Sequence, residues 1–310
     1  MGKNFKMTSR SQDQNKLKRL ATYASVLVSF ILIFCKSYAW NTTHSISLLS
    51  SLADSYIDFI ASAINMIAVH HAIKPPDAEH RFGHGKIEAL AALFQSIIII
   101  ASGVFILKEA LIRFSNPTPI EHISVGIVVT FIAIALTSLL VLFQKHVIQK
   151  TKSLAILADS THYRADLYLN VGVLLSTGFY TLFKWAFIDI LFGIGIAFYI
   201  MHTAYKIIRS SLKVLLDSEL PDLDRESILK IIHNHPKVKK CYHLRTRTSG
   251  REEFIQGHLI LKEKMNVESS YKITKDIQKE LSKSYPNAEF LFQTQPNNTE
   301  EDHHDLHHHW

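Results

Sequence analysis

The chain has 310 residues, a formal charge of +7 and two cysteines. Two thiols exclude a thiolate metal cage, and Cys35 and Cys241 stand too far apart in unlike surroundings to be read as a disulfide. The positive charge suits anionic lipid at a cytoplasmic surface. No basic groove with interleaved aromatics accompanies it, which excludes nucleic acid as a partner.

The first nineteen residues are polar and basic, with no cleavage pattern after the apolar run that follows, so that run is expected to be a retained span. Apolar segments then predict spans near 20–40, 45–71, 87–113, 122–146, 153–180 and 185–209. Residues 91–107 (AALFQSIIIIASGVFIL) and 123–142 (ISVGIVVTFIAIALTSLLVL) carry no charge at all. About 20 apolar residues cross a bilayer as a helix, and six such segments in succession argue against the buried core of a soluble protein. Lys3, Lys6, Arg10, Lys16, Lys18, Arg19, Lys74, Arg81, Lys86, Lys145, Lys150, Lys152, Lys206, Arg209 and Lys213 fall on one side of this arrangement. The other side has little beyond Arg113 and Lys184. Both termini are therefore expected in the cytoplasm.

Two spans carry polar stripes. The second contains LADSYIDFIASAIN, in which Asp54 and Asp58 stand four apart on one helical face. The fifth contains LADSTHYRADLYLN, where His162 and Asp166 repeat the spacing, with Asp159 one turn earlier and Asn170 one turn later. The second span runs inward and the fifth outward. Asp54 is thus expected level with Asp166, and Asp58 level with His162. Each ionisable group costs at least ~2.5 kcal/mol near the bilayer centre, so three acids and an imidazole at matched depth are a poor choice as mere core groups. As ligands they suit a tetrahedral Zn²⁺ site, with Fe²⁺, Cd²⁺, Co²⁺ and Mn²⁺ as alternatives. Arg164, two residues from His162, is expected to point away from that face.

Between the second and third spans, KPPDAEHRFGHGK holds Asp77, His80 and His84 in a loop that Pro75-Pro76 opens and Gly83 and Gly85 keep compact. The spacing allows three ligands around a metal; solvated loop histidines are the plainer reading. After Asp217 the pattern predicts a helix over 224–233, strands over 238–247 and 254–261, a helix over 267–281 and a strand near 288–292. This αββαβ order is that of a small α/β domain. The tail beyond residue 295 is acidic and histidine-rich, and disorder is expected there.

The paired D-x-x-x-D and H-x-x-x-D motifs, FGHGK ahead of a span and LRTRTSG in the soluble part resemble the cation diffusion facilitator family over about residues 15–295. Among its members the bacterial zinc and ferrous-iron efflux transporters are the most similar. The resemblance implies an α-helical membrane protein with six transmembrane helices and a cytoplasmic ferredoxin-like domain, assembled as a homodimer. It implies that Asp54, Asp58, His162 and Asp166 form the transport site and that Asp77, His80 and His84 form a loop site. By the same likeness Lys86 and Asp217 are a charge pair linking protomers near the membrane surface.

The soluble domain departs from the family pattern. His258 is retained, but the other positions at which relatives hold two zinc ions are Tyr242, Tyr271, Gln293 and Gln295, with His243 beside one of them. Dimerisation by packing alone, or metal capture by His303, His304, His307, His308 and His309, are the alternatives this leaves.

The organisation expected is a basic segment 1–19, a membrane domain 20–210, a cytoplasmic dimerisation domain 217–295 and a tail 296–310. The function expected is export of a divalent metal, Zn²⁺ foremost, in exchange for protons across a bacterial inner membrane. No catalytic activity is expected, because HExxH and comparable hydrolytic motifs are missing and all four ligands are needed to close a tetrahedron. Export mainly of Fe²⁺ or Mn²⁺ stays open on the residues alone, as does a membrane metal sensor or metalloenzyme without transport.

Overall fold

A computed structural model describes residues 9–44, 46–115, 124–183, 187–250, 252–262 and 265–296. It divides into two compact units, Met1–Leu212 and Lys213–Trp310, each described by itself.

The first unit is helical: α1 (Ser9–Thr43), α2 (Ile46–Ala72), α3 (Lys86–Ser115), α4 (Ser124–Thr151), α5 (Leu154–Phe183) and α6 (Phe187–Leu215). Helix α1 begins within the segment expected to be a basic extension. Its first turns hold because Gln14 Nε2 donates to Lys150 O and Lys18 is buried against α3. Five of the helices (α1, α2, α3, α4 and α6) are long and apolar enough to cross a membrane. At 30 residues α5 is as long, about 45 Å, but carries Asp159, His162, Arg164 and Asp166.

That polarity explains where α5 sits. It packs against α1, α2, α3 and α4, and shares small apolar clusters with α6 through Ala158, Ala165, Ile200, Ala204 and Ile207. Its first three turns are almost wholly enclosed, from Ala155 to Ala165. Large apolar side chains such as Phe34, Phe94, Phe105, Phe131 and Phe198 point outward, while small or amide side chains (Ser25, Ser62, Asn65, Gln95, Gln144, Ser160) fill the interior. This is the distribution a bilayer favours, where lipid solvates apolar side chains and polar groups must find partners inside.

Short connections fix the order. Lys152, at φ 51°, turns α4 into α5, and Ser153 caps α5 by accepting from Ile156 N at 3.4 Å. Between α2 and α3, Asp77 Oδ1 accepts from the backbone amides of Glu79 and His80 at 3.0 and 2.7 Å, which folds the loop into a tight turn.

The second unit contains α7 (Asp222–His233), β1 (Val238–Thr248), β2 (Glu253–Leu261), α8 (Val267–Ser284) and β3 (Ala288–Pro296). The sheet order is β1-β2-β3; β1 and β2 are antiparallel, β2 and β3 parallel. Parallel strands need a crossover, which α8 supplies. Both helices bury one face, Ile228 and Ile232 of α7 and Ile273, Ile277 and Leu281 of α8, against Leu244, Ile255, Leu259 and Phe292 of the sheet. A bulge at His243, φ 48°, interrupts the β1 register beside Tyr242.

Candidate functional site

Asp58 of α2 meets α5 where His162 Nε2 lies 2.8 Å from Asp58 Oδ1. The same nitrogen is 3.6 Å from Oδ2 of Asp166, one turn further along α5. One ligand atom from each of the three residues falls within 4.8 Å of the other two. Tetrahedral zinc with bonds of about 2 Å separates its ligand atoms by about 3.3 Å, so this cluster needs only small adjustments to close on an ion.

Asp54 does not join them. It stands one turn back on α2, exposed, and no ligand atom of it falls within that cluster. Packed helices cross at an angle, so contact made at one turn is lost at the next. Exposure falls steadily along this column: Asp54 is open, the side chains of Asp166, Asp58 and His162 are 31, 19 and 15 % exposed, and Asp159 is buried. Arg164 is half-buried on the same helix.

Three features were not singled out in the sequence. Lys36 of α1 donates from Nζ to Ser51 O at 3.0 Å and to Ser55 Oγ at 2.7 Å, on the helix that carries Asp54 and Asp58. Its signal was available, since it is the sole Lys, Arg, Asp or Glu between Arg19 and Asp54. The second feature is what surrounds Asp159, one turn below His162. Its carboxylate accepts from Ser25 Oγ (2.6 Å), Gln144 Nε2 (2.7 Å), Gln95 Nε2 (3.3 Å) and Ser62 Oγ (3.4 Å). One residue from each of α1, α2, α3 and α4 thus reaches a carboxylate on α5. Tyr163 extends the network, its hydroxyl 2.8 Å from Ser62 Oγ. A third layer follows at the start of α5. There Glu88 accepts from Lys18 Nζ and from Ser153 Oγ, both at 2.6 Å, and all three are buried.

The loop residues also converge. His80 Nδ1 and His84 Nε2 lie 3.5 and 3.3 Å from the Asp77 carboxylate, and the three form the second cluster of ligand-type groups among the described residues. The backbone amide of His80 is the main cause that holds the Asp77 carboxyl below its ordinary range; desolvation opposes it, and the amide of Glu79 and the two imidazoles each lower it by less.

In the second unit His258 pairs with Tyr242 across the β1–β2 ladder, and its ring centroid lies 5.1 Å from that of Tyr242 and 5.8 Å from that of His243. The Tyr242 hydroxyl donates to Gln295 Oε1, spanning the face of β2. Tyr271 and Gln293 are exposed. Among the described residues no third metal-ligating side chain of this unit joins His243 and His258. Asp217 accepts from Arg247 Nη1 at 3.1 Å, and Lys86 opens α3 in the first unit. His303, His304, His307, His308 and His309 lie outside the described residues.

Comparison with known proteins finds two family models in series: the cation efflux transmembrane domain over residues 22–216, and the cation efflux protein cytoplasmic domain over residues 220–297. Protein p34 of Rickettsia rickettsii is 38% identical over 291 residues, 94% of this chain and 96% of its own. The cation-efflux pump FieF of Citrobacter koseri is 35% identical over 286 residues, 92% of this chain and 95% of its own. Among solved structures, the metal-bound C-terminal domain of the CzcD transporter from Thermotoga maritima is 26% identical, covering 26% of this chain and 95% of its own, with a TM-score of 0.25.

Proposed function

The chain belongs to the cation efflux family, integral membrane proteins that move metal cations, and on that premise we propose that it exports zinc-like divalent ions in exchange for protons. The observation that carries this reading is the Asp58–His162–Asp166 cluster, set among membrane-spanning helices. One nitrogen and several carboxylate oxygens suit Zn²⁺, Fe²⁺, Cd²⁺ and Co²⁺ better than Mn²⁺, which favours an all-oxygen set. Asp54, one turn away, is the candidate fourth ligand, drawn in when an ion arrives.

The residues define the cycle. Ligands must be deprotonated to hold a metal, so an arriving ion displaces protons, and protons returning from the other side release it. The lysine-rich ends are taken as cytoplasmic in a bacterial inner membrane. On that orientation the exposed Asp54 end faces outward, while the Asp159 network and the Lys18–Glu88–Ser153 layer close the cytoplasmic side. Rocking of helices about a midplane site then exchanges access.

Asp77, His80 and His84 form a capture site at the cytoplasmic surface in this reading. The second unit pairs two protomers, with Lys86 and Asp217 as a charged link between them. Among the described residues its His243 and His258 lack the partners for a closed metal site, so pairing rests on packing in this reading.

The test is zinc flux into proteoliposomes under a pH gradient, with Asp58→Ala and Asp166→Ala. Loss of flux in both is expected. Undiminished flux in both would remove the site, and zinc binding without flux in the unaltered protein would make it a sensor.

A further inference from the structure

The metal-site reading gives no part to Lys36 of α1. Lys36 sits about seven residues before the end of α1, and Asp54 about eight after the start of α2, so both lie roughly 10 Å from that end of the bundle. The ammonium is held by α2 itself, through Ser51 O and through Ser55 Oγ, next in sequence to Asp54. It therefore travels with the helix that carries Asp58. Ser55 stands beside Asp54 and three residues, about one helical turn, from Asp58, so the ammonium is held at the level of the site's carboxylates.

A simple tether between two helices does not need a charge. A neutral donor would satisfy Ser55 Oγ and a backbone carbonyl, and burying an ammonium inside a membrane protein is costly unless something nearby is negative. What is negative here is the site. Three carboxylates, one ammonium and one divalent cation sum to neutrality, so the loaded site needs no further ion. Inside the bundle, where charges are less screened than in water, the same ammonium repels the divalent cation.

We propose that Lys36 is a resident counter-cation of the metal site, which sets its charge for one divalent ion and weakens its hold so that the ion leaves once the site opens. This rests on the triad being the transport site. Lys36 binds no metal; it acts through the carboxylates, as a determinant of affinity and turnover.

The experiment compares the full-length protein with Lys36→Gln, whose amide keeps donors for Ser55 and Ser51. Two quantities are read: equilibrium Zn²⁺ binding, restricted to the component that Asp58→Ala abolishes, and KM against kcat for zinc flux in proteoliposomes. Lys36→Gln is expected to bind zinc at least about tenfold more tightly, with KM and kcat both lowered. A second variant separates charge from shape and guards against misfolding. In a Cys35→Ser, Cys241→Ser background, Lys36→Cys is treated with a thiosulfonate reagent bearing either an aminoethyl or an uncharged methyl group. The aminoethyl adduct is expected to return affinity toward that of the background protein, and the methyl adduct to leave it tight. Unchanged or weaker zinc binding in Lys36→Gln, or equal affinity for the two adducts, overturns the proposal. Absence of zinc flux in the unaltered protein would instead overturn the transport reading beneath it.

Discussion

His162 Nε2 and Asp58 Oδ1 lie 2.8 Å apart, joining α5 to α2 at one level. Further along the same two helices, Ser62 meets Asp159 and Asn65 Nδ2 donates to Ala155 O. Rising numbers on α2 thus meet falling numbers on α5, the antiparallel arrangement that places an imidazole opposite a carboxylate. Its replaceable element is the single nitrogen ligand.

Converting that nitrogen to oxygen shifts the ion preferred. His162→Asp gives an all-carboxylate set, so the ratio of Zn²⁺ to Mn²⁺ flux is expected to fall by about tenfold or more. Competition between the two ions in one flux assay measures it. An unchanged ratio would count against His162 as a ligand.

Asp159 is expected to matter first for stability. Asp159→Ala leaves two hydroxyls and two amides buried without their acceptor, at a cost of about 2–5 kcal/mol. Asp159→Asn, which retains one acceptor oxygen, is expected to cost less. Midpoints of unfolding in detergent, taken side by side, report the difference.

Glu88 and Lys18 make a buried pair whose removal depends on how it is done. Glu88→Ala alone strands a buried ammonium and is expected to cost about 3–5 kcal/mol. The double variant Lys18→Met, Glu88→Leu removes both charges together and is expected to recover most of that loss. The four proteins form a cycle, and additive effects would show the two charges to be independent.

The loop around Asp77 carries a pH prediction. Its carboxyl is held below the ordinary range chiefly by the amide of His80, so the folded turn binds its proton less readily than the open loop does. The stabilisation is therefore complete above the unfolded value of about 3.9 and is lost as pH falls through the lower, folded value. Exchange protection of the Glu79 and His80 amides is expected to persist from pH 7 down to about pH 4 and to fall only below that. Loss of protection between pH 7 and 5 would contradict it.

Much of this was legible in the chain, and the particulars show why. Helices α2, α3 and α4 begin and end within a few residues of where apolar runs place them, because crossing a bilayer imposes a length and a composition at once. The soluble elements follow from period and turn chemistry, with α8 capped at Asn266 and the β1–β2 turn at Gly250, φ 85°. Helix α5 was expected as one more apolar span carrying a polar stripe, and only the packing shows it to be the helix the others enclose. Lys36 was passed over because one charge in a span carries no periodicity, and Lys18 was counted only among the charges of the basic segment.

The sequence by itself determined which helices exist and which faces of them are polar, since spacing of four residues is a local property of the α-helix. It did not decide which carboxylate reaches His162. That depends on the axial offset and crossing of α2 and α5, which bring Asp58 to 2.8 Å and leave Asp54 a turn away. Nor did it decide that Ser25, Ser62, Gln95 and Gln144 converge on Asp159, or that Lys36 of α1 donates to Ser51 and Ser55 of the helix that carries Asp58. Such meetings belong to packing: each helix fixes only its own face, and the partner of that face is set by every other helix competing for it.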